Sequence, residues 1–206
     1  MPFVKSKRTY YKNVYQDWEQ PVLTANGTLG GDSFAVVADS VYGSDDNWKA
    51  FDNDTSTIWH SGGSLPHWVT MYNPNALKVD KLIITTSNSG GHKGVTAGTV
   101  VGSNDNENWE YICDWTNDVT DQGATWEIAV NSSKYYKYYK LNMTKTAYNP
   151  WLGACAAIGE IKLTAQETYA IPATLEDYDF FESEDKYYIL VRKQEDRLVL
   201  YEPVFK

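Results

Sequence analysis

Soft-metal ligands and bridge-forming side chains are scarce in this chain, which holds two cysteines and three histidines in 206 residues. Two cysteines are too few for a disulfide scaffold. Cys113 and Cys155 both stand among apolar residues and read as buried thiols rather than as a bridge. His60, His67 and His92 lack metal-ligand spacing. No apolar run approaches the roughly 20 residues of a membrane-spanning helix. Basic charge is short as well. Lys and Arg number 18 against 27 Asp and Glu, for a net charge of −9. That balance sets aside binding of nucleic acid or anionic lipid by the whole surface. The G-x-S-x-G, H-E-x-x-H, P-loop and G-x-G-x-x-G signatures are missing. With so many acids, neighbouring carboxylates carry no catalytic information. An enzyme is not expected.

Long helical periodicity is missing too. Short alternating or apolar runs stand between Gly, Asn, Asp and Ser. Candidate strands are 33–39, 67–73, 78–87, 98–103, 109–115, 125–130, 135–143 and 158–165. Aromatics are abundant, at 15% with 16 Tyr and 8 Trp, and rings suit a half-buried pleated surface. In 135–143, Tyr139, Leu141 and Met143 share one face, and Lys140 and Asn142 fall on the other, the solvent side. Many strands without crossover helices imply an all-β fold, an antiparallel β-sandwich or jelly roll.

Residues 18–165 are expected to form this sandwich, after an N-terminal arm (1–17) and before a C-terminal β-extension (166–206). The extension carries two strand-like pieces, 186–193 and 197–205, joined through a turn at Gln194–Glu195–Asp196. Its apolar residues, Ile189, Val191, Leu198, Leu200 and Val204, would make an unpaired hairpin aggregation-prone, so it reads as an assembly element. Lys5, Lys7, Arg8 and Lys12 make the first segment basic, whereas LEDYDFFESED (175–185) is acidic. These are either solvated tails or docking elements. The start is positive without a following apolar segment, so it does not read as a secretory signal. The N-x-[ST] sequons at Asn26, Asn53, Asn131 and Asn142 then read as chance.

AFDNDTSTIWHSG (50–62) sets acids and hydroxyls between two large aromatics. WKAFDNDTSTIWHSG (48–62), PHWVTMYNP (66–74), VVGSNDNENWEYI (100–112), YYKYYKLNM (135–143) and AAIGEIKLTA (156–165) follow one another in an order that resembles the discoidin, or coagulation factor V/VIII type C, domain. Family 32 carbohydrate-binding modules share that fold. The family usually has Gly where this chain has Asn53. A left-handed turn accounts for both, since Asn tolerates positive φ. The resemblance implies a structural calcium ion held by Ala50, Asp52, Asp54, Thr57 and Glu160. Hard oxygen donors suit calcium, and the loop's lack of Cys and His disfavours zinc. The other reading of the same residues is a turn capped by its own side chains. Trp59 reads as core.

The family binds ligands on loops at one end of the sandwich, here 42–48, 60–65, 87–94 and 147–153. Trp151 could cover the apolar face of a sugar, with His92, Lys93, Asn88, His60 and Asn149 bonding its hydroxyls. Trp151 packed beneath its own loop is the competing reading. Residues 18–40 resemble the start of such domains in bacteriophage tail and fibre proteins. The resemblance implies a non-catalytic virion protein, a fibre, decoration or baseplate-type component. It would be made in the host cytoplasm and face outward, with a host or mucosal glycan and other virion proteins as partners. It would assemble as a homo-oligomer, for instance a trimer. The alternatives are a bacterial carbohydrate-binding module or adhesin, or an accessory domain of a glycoside hydrolase.

Overall fold

The computed structural model describes residues 11–88, 94–147, 155–172, 178–182, 188–194 and 197–201, with side chains for 14–88, 94–147 and 155–168. The chain divides into two compact units. One is Tyr15–Tyr169, and the other gathers residues from both ends of the sequence.

The first unit is an antiparallel β-sandwich. The strands of its sheet are β1 (Tyr11–Trp18), β2 (Ala35–Ala38), β3 (Trp59–His60), β4 (His67–Thr86), β5 (Val95–Ser103), β6 (Glu110–Thr116), β7 (Thr125–Ala129), β8 (Tyr136–Thr146) and β9 (Ala157–Pro172), of which the outer ends of β1 and β9, before Tyr15 and after Tyr169, are counted with the other unit. The hydrogen-bonded order is β1-β9-β4-β8-β5-β6, with β2 and β7 also on β4 and β3 on β9.

The 20-residue β4 organises both layers. Its first half pairs with β2 and β8 (Val69↔Ala38, Val69↔Leu141). Its second half pairs with β7 and β9 (Ile84↔Trp126, Ile84↔Ile161). The β8 register breaks between Tyr72 and Leu77. Pro74 lies there, and proline has no N–H for a ladder. This is why the sequence pattern reads as two strands where the chain runs through as one. The Asn73 side chain bridges the break, donating from Nδ2 to Asn75 O (2.9 Å) and to Glu167 Oε1 (3.1 Å).

The inward faces alternate as a two-residue period requires. Val69, Met71, Leu82, Ile84, Val100, Leu141, Met143, Ile158 and Ile161 form the core, with Phe51 and Trp59. Trp59 is 0% exposed and donates Nε1–H to Ser40 O at 3.1 Å, so this tryptophan belongs to the core, as expected. The two cysteines are free, Cys155 buried and Cys113 only half-buried. Burial pushes both thiols above the usual cysteine range.

Three strands escape the sequence reading, the shortest being the two-residue β3. β1 is a strand of the main sheet, although its YKNVYQDW sequence alternates poorly. The acidic run contains β10 (Tyr178–Glu182), which pairs with β11 (Tyr188–Gln194), and β11 pairs with β12 (Arg197–Tyr201). The second unit therefore holds a three-stranded antiparallel sheet rather than a hairpin. Gln194 pairs with Arg197 across the expected turn. Residues 195–196 of that turn lie outside the described residues.

Candidate functional site

A short 3-10 turn (Asn47–Phe51) delivers the chain into the 52–57 loop. Asn53 has φ +58°, the left-handed turn expected of it. The loop is tied by its own carboxylates. The Asp54 N–H donates to Asp52 Oδ1 (2.9 Å), and the Ser56 N–H and hydroxyl donate to Asp54 Oδ1 (2.9 and 2.6 Å). The Ser56 bonds hold the Asp54 carboxyl below the usual carboxylate range. To this extent the capped-turn reading is correct.

Two features exceed it. Thr57 Oγ1 lies within hydrogen-bonding range of three oxygens, Asp52 Oδ2 (2.8 Å), Asp54 O (2.9 Å) and Lys49 O (3.2 Å). One hydroxyl proton can serve only one of them. The second feature is Glu160 on β9, only 8% exposed, whose Oε2 has no hydrogen-bond partner among the described residues. Burial, reinforced by the Asp52 charge, pushes its carboxyl up to about 8, against the opposing pull of the Asn53 N–H and Lys162. Asp52 and Glu160 thus share one corner. Lys162 offsets the like charges around this orphaned buried oxygen only in part. The donors are hard oxygens without nitrogen or sulfur, the set a calcium ion takes. Among the described residues, no three His, Cys, Asp or Glu side chains converge closely enough to hold a metal by themselves. An ion here would therefore use Asp52 and Glu160 together with the Thr57 hydroxyl and carbonyls such as those of Ala50 and Asp54.

The loops beside this corner are stitched together. Tyr42 N–H donates to His60 O (2.7 Å), His60 N–H to Asp45 O (3.2 Å) and Ser61 N–H to Ala156 O (2.9 Å). Asn88, which is exposed, donates Nδ2–H to Thr55 O at 3.3 Å, linking its loop to the acidic turn. His67, on which the sequence placed no role, is buried between loop ends. Its Nδ1 lies 2.8 Å from Asp39 Oδ2 and 3.1 Å from Ser40 Oγ, and its Nε2 3.3 Å from Gly63 O.

His60 is 5% exposed, with Nε2 3.0 Å from Cys155 Sγ and its ring 5.0 Å from that of Tyr42. Its imidazole is directed inward rather than offered to solvent. Tyr42 is the exposed one, at 61%. Sequence reasoning marked its loop but not the ring itself, although an aromatic in a Gly-Ser-Asp-Asp loop is the same signal that marked Trp151. His92, Lys93, Asn149 and Trp151 lie outside the described residues. At the opposite end, Lys78, Asp80, Asn131, Ser132 and Gln166 help line a polar cavity of about 510 Å³.

The F5/8 type C domain model matches residues 35–158. This chain belongs to the F5/8 type C family. No curated protein matches it. Solved structures with the same fold include CBM32-3 from a family 31 glycoside hydrolase of Clostridium perfringens. That match has TM-score 0.57 and 21% identity, and covers 66% of this chain and 92% of that one. A family 32 module of C. perfringens NanJ, solved with galactose, matches with TM-score 0.53 and 19% identity over 66% and 93%. The module CBM32-5 of the same organism, solved with GalNAc-β-1,3-galactose, matches with TM-score 0.55 and 19% identity over 64% and 94%.

Proposed function

We propose that this F5/8 type C domain is a non-catalytic glycan-binding module whose ligand end is braced by calcium. The observation that carries the reading is the join between two parts of the molecule. The acidic turn with its orphaned Glu160 oxygen bonds through Thr55 to Asn88, on a loop of the end where this family binds ligands. Solved modules of the same fold hold galactose or a galactose-containing disaccharide. Tyr42 and Trp151 would cover the sugar's C–H face, and Asn88, Asn149, His92 and Lys93 would bond its hydroxyls. His60 would act from beneath, holding the Tyr42 ring. Calcium would be structural, held by Ala50, Asp52, Asp54, Thr57 and Glu160. It would supply positive charge at Glu160 and Asp52 beyond the partial offset that Lys162 gives.

We further propose that the module serves in a bacteriophage virion, as a fibre, decoration or baseplate-type component that attaches to host or mucosal glycan and assembles as a homo-oligomer. The likeness of residues 18–40 to phage tail and fibre proteins supports this. A second support is the β10–β12 sheet, whose strand edges invite pairing with another subunit. The competing setting, an accessory module of a glycoside hydrolase, is favoured by the enzymes to which several solved modules belong.

A glycan array with wild type, Tyr42→Ala and Trp151→Ala tests the binding role. Binding of galactose-type glycans that both variants lose supports it. Absence of binding by the wild type, or binding that neither variant alters, overturns it. A stable homo-oligomer by light scattering supports the virion role, and a monomer counts against it.

A further inference from the structure

The outer face of the layer formed by β2, β4, β8, β5 and β6 carries an arrangement that neither the core nor the loop end uses. Lys140 projects from β8, one strand from Trp68 on β4, and its register partners are Thr70 and Val101. Its Nζ stands 3.8 Å from the ring centroid of Trp109 and 4.8 Å from that of Trp68. The ammonium is therefore held between two indoles. Both rings are only partly buried.

The floor beneath is fixed. Trp109 packs on a small cluster of Ala35, Tyr72 and Tyr138, outside the main core. The Tyr72 and Tyr138 rings stand 4.7 Å apart, and Tyr72 Oη donates to Gly31 O at 2.8 Å. Beside Trp68 in the register is Asn142, whose Nδ2–H donates to Thr99 Oγ1 at 2.9 Å.

An ammonium carries three N–H donors, and an aromatic face satisfies its charge only in part. Among the described residues, no carboxylate forms an ion pair with Lys140. Asp39, the acid beside Trp68, already accepts the Trp68 N–H on Oδ1 (3.0 Å) and lies 2.8 Å from His67 Nδ1 through Oδ2, and Asp114 sits in register with Thr99 on the far side of β5. Desolvation lowers the Lys140 pKa from its ordinary value, so this cation is underpartnered. A protein of net charge −9 has no general attraction for anions, and recognition must come from the local contacts.

We propose that Trp68, Lys140 and Trp109 form a second ligand site, for a carboxylate-bearing sugar such as a hexuronate. The carboxylate pairs with the Lys140 ammonium in a charge-assisted bond. The C–H face of the sugar ring lies against the part-exposed indole edges beside the ammonium, and the Asn142 and Thr99 pair meets its hydroxyls. The rings are already in place, so little ordering is needed on binding. The site stands on the sheet rather than on the loops and does not depend on the loop-end reading.

The test titrates the full chain with methyl glucuronoside, methyl galacturonoside, methyl galactoside, acetate and a short poly-glutamate peptide. Indole N–H shifts are followed by NMR in wild type, Lys140→Met, Lys140→Arg, Trp109→Ala and Tyr42→Ala. The expected result is saturable uronoside binding that shifts the Trp68 and Trp109 signals. It should weaken about tenfold or more in Lys140→Met, survive in Lys140→Arg and Tyr42→Ala, and fall as salt is raised. Thermal melting of Lys140→Arg and Lys140→Met checks that the fold is kept. The proposal is overturned if no uronoside binds, if Lys140→Met binds as wild type does, or if methyl galactoside shifts the same signals equally. Acetate binding as tightly as the uronosides would mean an anion spot only, and peptide binding alone would give the face to a protein partner. Both outcomes also sink it.

Discussion

Glu160 on β9 and Asp52 in the acidic turn come from opposite ends of the domain sequence and meet at a single corner, where burial and then the Asp52 charge push the Glu160 carboxyl up to about 8. A raised acid favours the folded state in its protonated form. Its contribution is complete below the ordinary carboxylate pKa of 4.5 and is lost as pH climbs to about 8. The calcium-free protein should therefore lose stability across that window. Calcium would take the place of the proton, so binding near neutral pH should release protons and tighten as pH rises. At about 100 times the dissociation constant, the ion should raise the melting temperature by about 5–10 °C. Glu160→Gln should abolish both the calcium response and this pH dependence. Calorimetry in buffers of different ionisation enthalpy, with melting curves from pH 5 to pH 9 (roughly the span of the titration), checks both.

Asn53 holds φ +58° in the same turn. Glycine takes that conformation at no steric cost, whereas a β-branched residue does not. Asn53→Gly should leave stability within about 0.5 kcal/mol of wild type, and Asn53→Val should lower it by about 1–2 kcal/mol. Urea denaturation distinguishes them. Equal losses in the two variants would mean that the asparagine side chain matters more than its backbone.

Trp59 is wholly buried and bonds Ser40 O. Ser40 in turn accepts the Gly62 N–H on its hydroxyl, so core and loop are linked through one residue. Trp59→Ala should cost about 3–5 kcal/mol through the cavity it leaves. Trp59→Phe should cost less, yet still loosen the 60–65 loop. Chemical denaturation measures the first effect, and hydrogen exchange at Gly62 the second.

Gly98 on β5 has no room for a side chain. A Cβ there would run into the Asn142 carbonyl oxygen and would lie 2.7 Å from Cζ2 of Trp115. Gly98→Ala should therefore push β5 away from β8 and destabilise the sandwich by about 2–4 kcal/mol. Soluble yield and urea midpoints test this, and wild-type behaviour would mean that the strands can separate without loss.

The β architecture could be read from residue patterns because alternation reports burial directly. Leu141 and Met143 face the core and Lys140 and Asn142 the outside, as the period of two implies. Two halves of β4 looked separate because Pro74 and its Asn neighbours mimic a turn, while the pairing that carries the chain through is long-range. β10 lay hidden because its aromatics stand inside a run of acids that reads as a solvated segment, and only the pairing with β11 marks it as a strand. At the acidic corner, the composition of the turn suggested oxygen ligands. The orphaned Glu160 oxygen depends on burial by distant strands and has no local signature. Tyr42 and Lys140 were missed for the same reason, since exposure and ring placement are set by neighbours far along the chain.

Because β4 is hydrogen-bonded in both layers, neither layer can come away intact while the other stays folded. Its midpoint irregularity between Tyr72 and Leu77 lies within one continuous strand, so the two sheets are joined covalently there. Tension applied to one sheet would be carried along this shared strand into the other, and the whole sandwich would yield as one body.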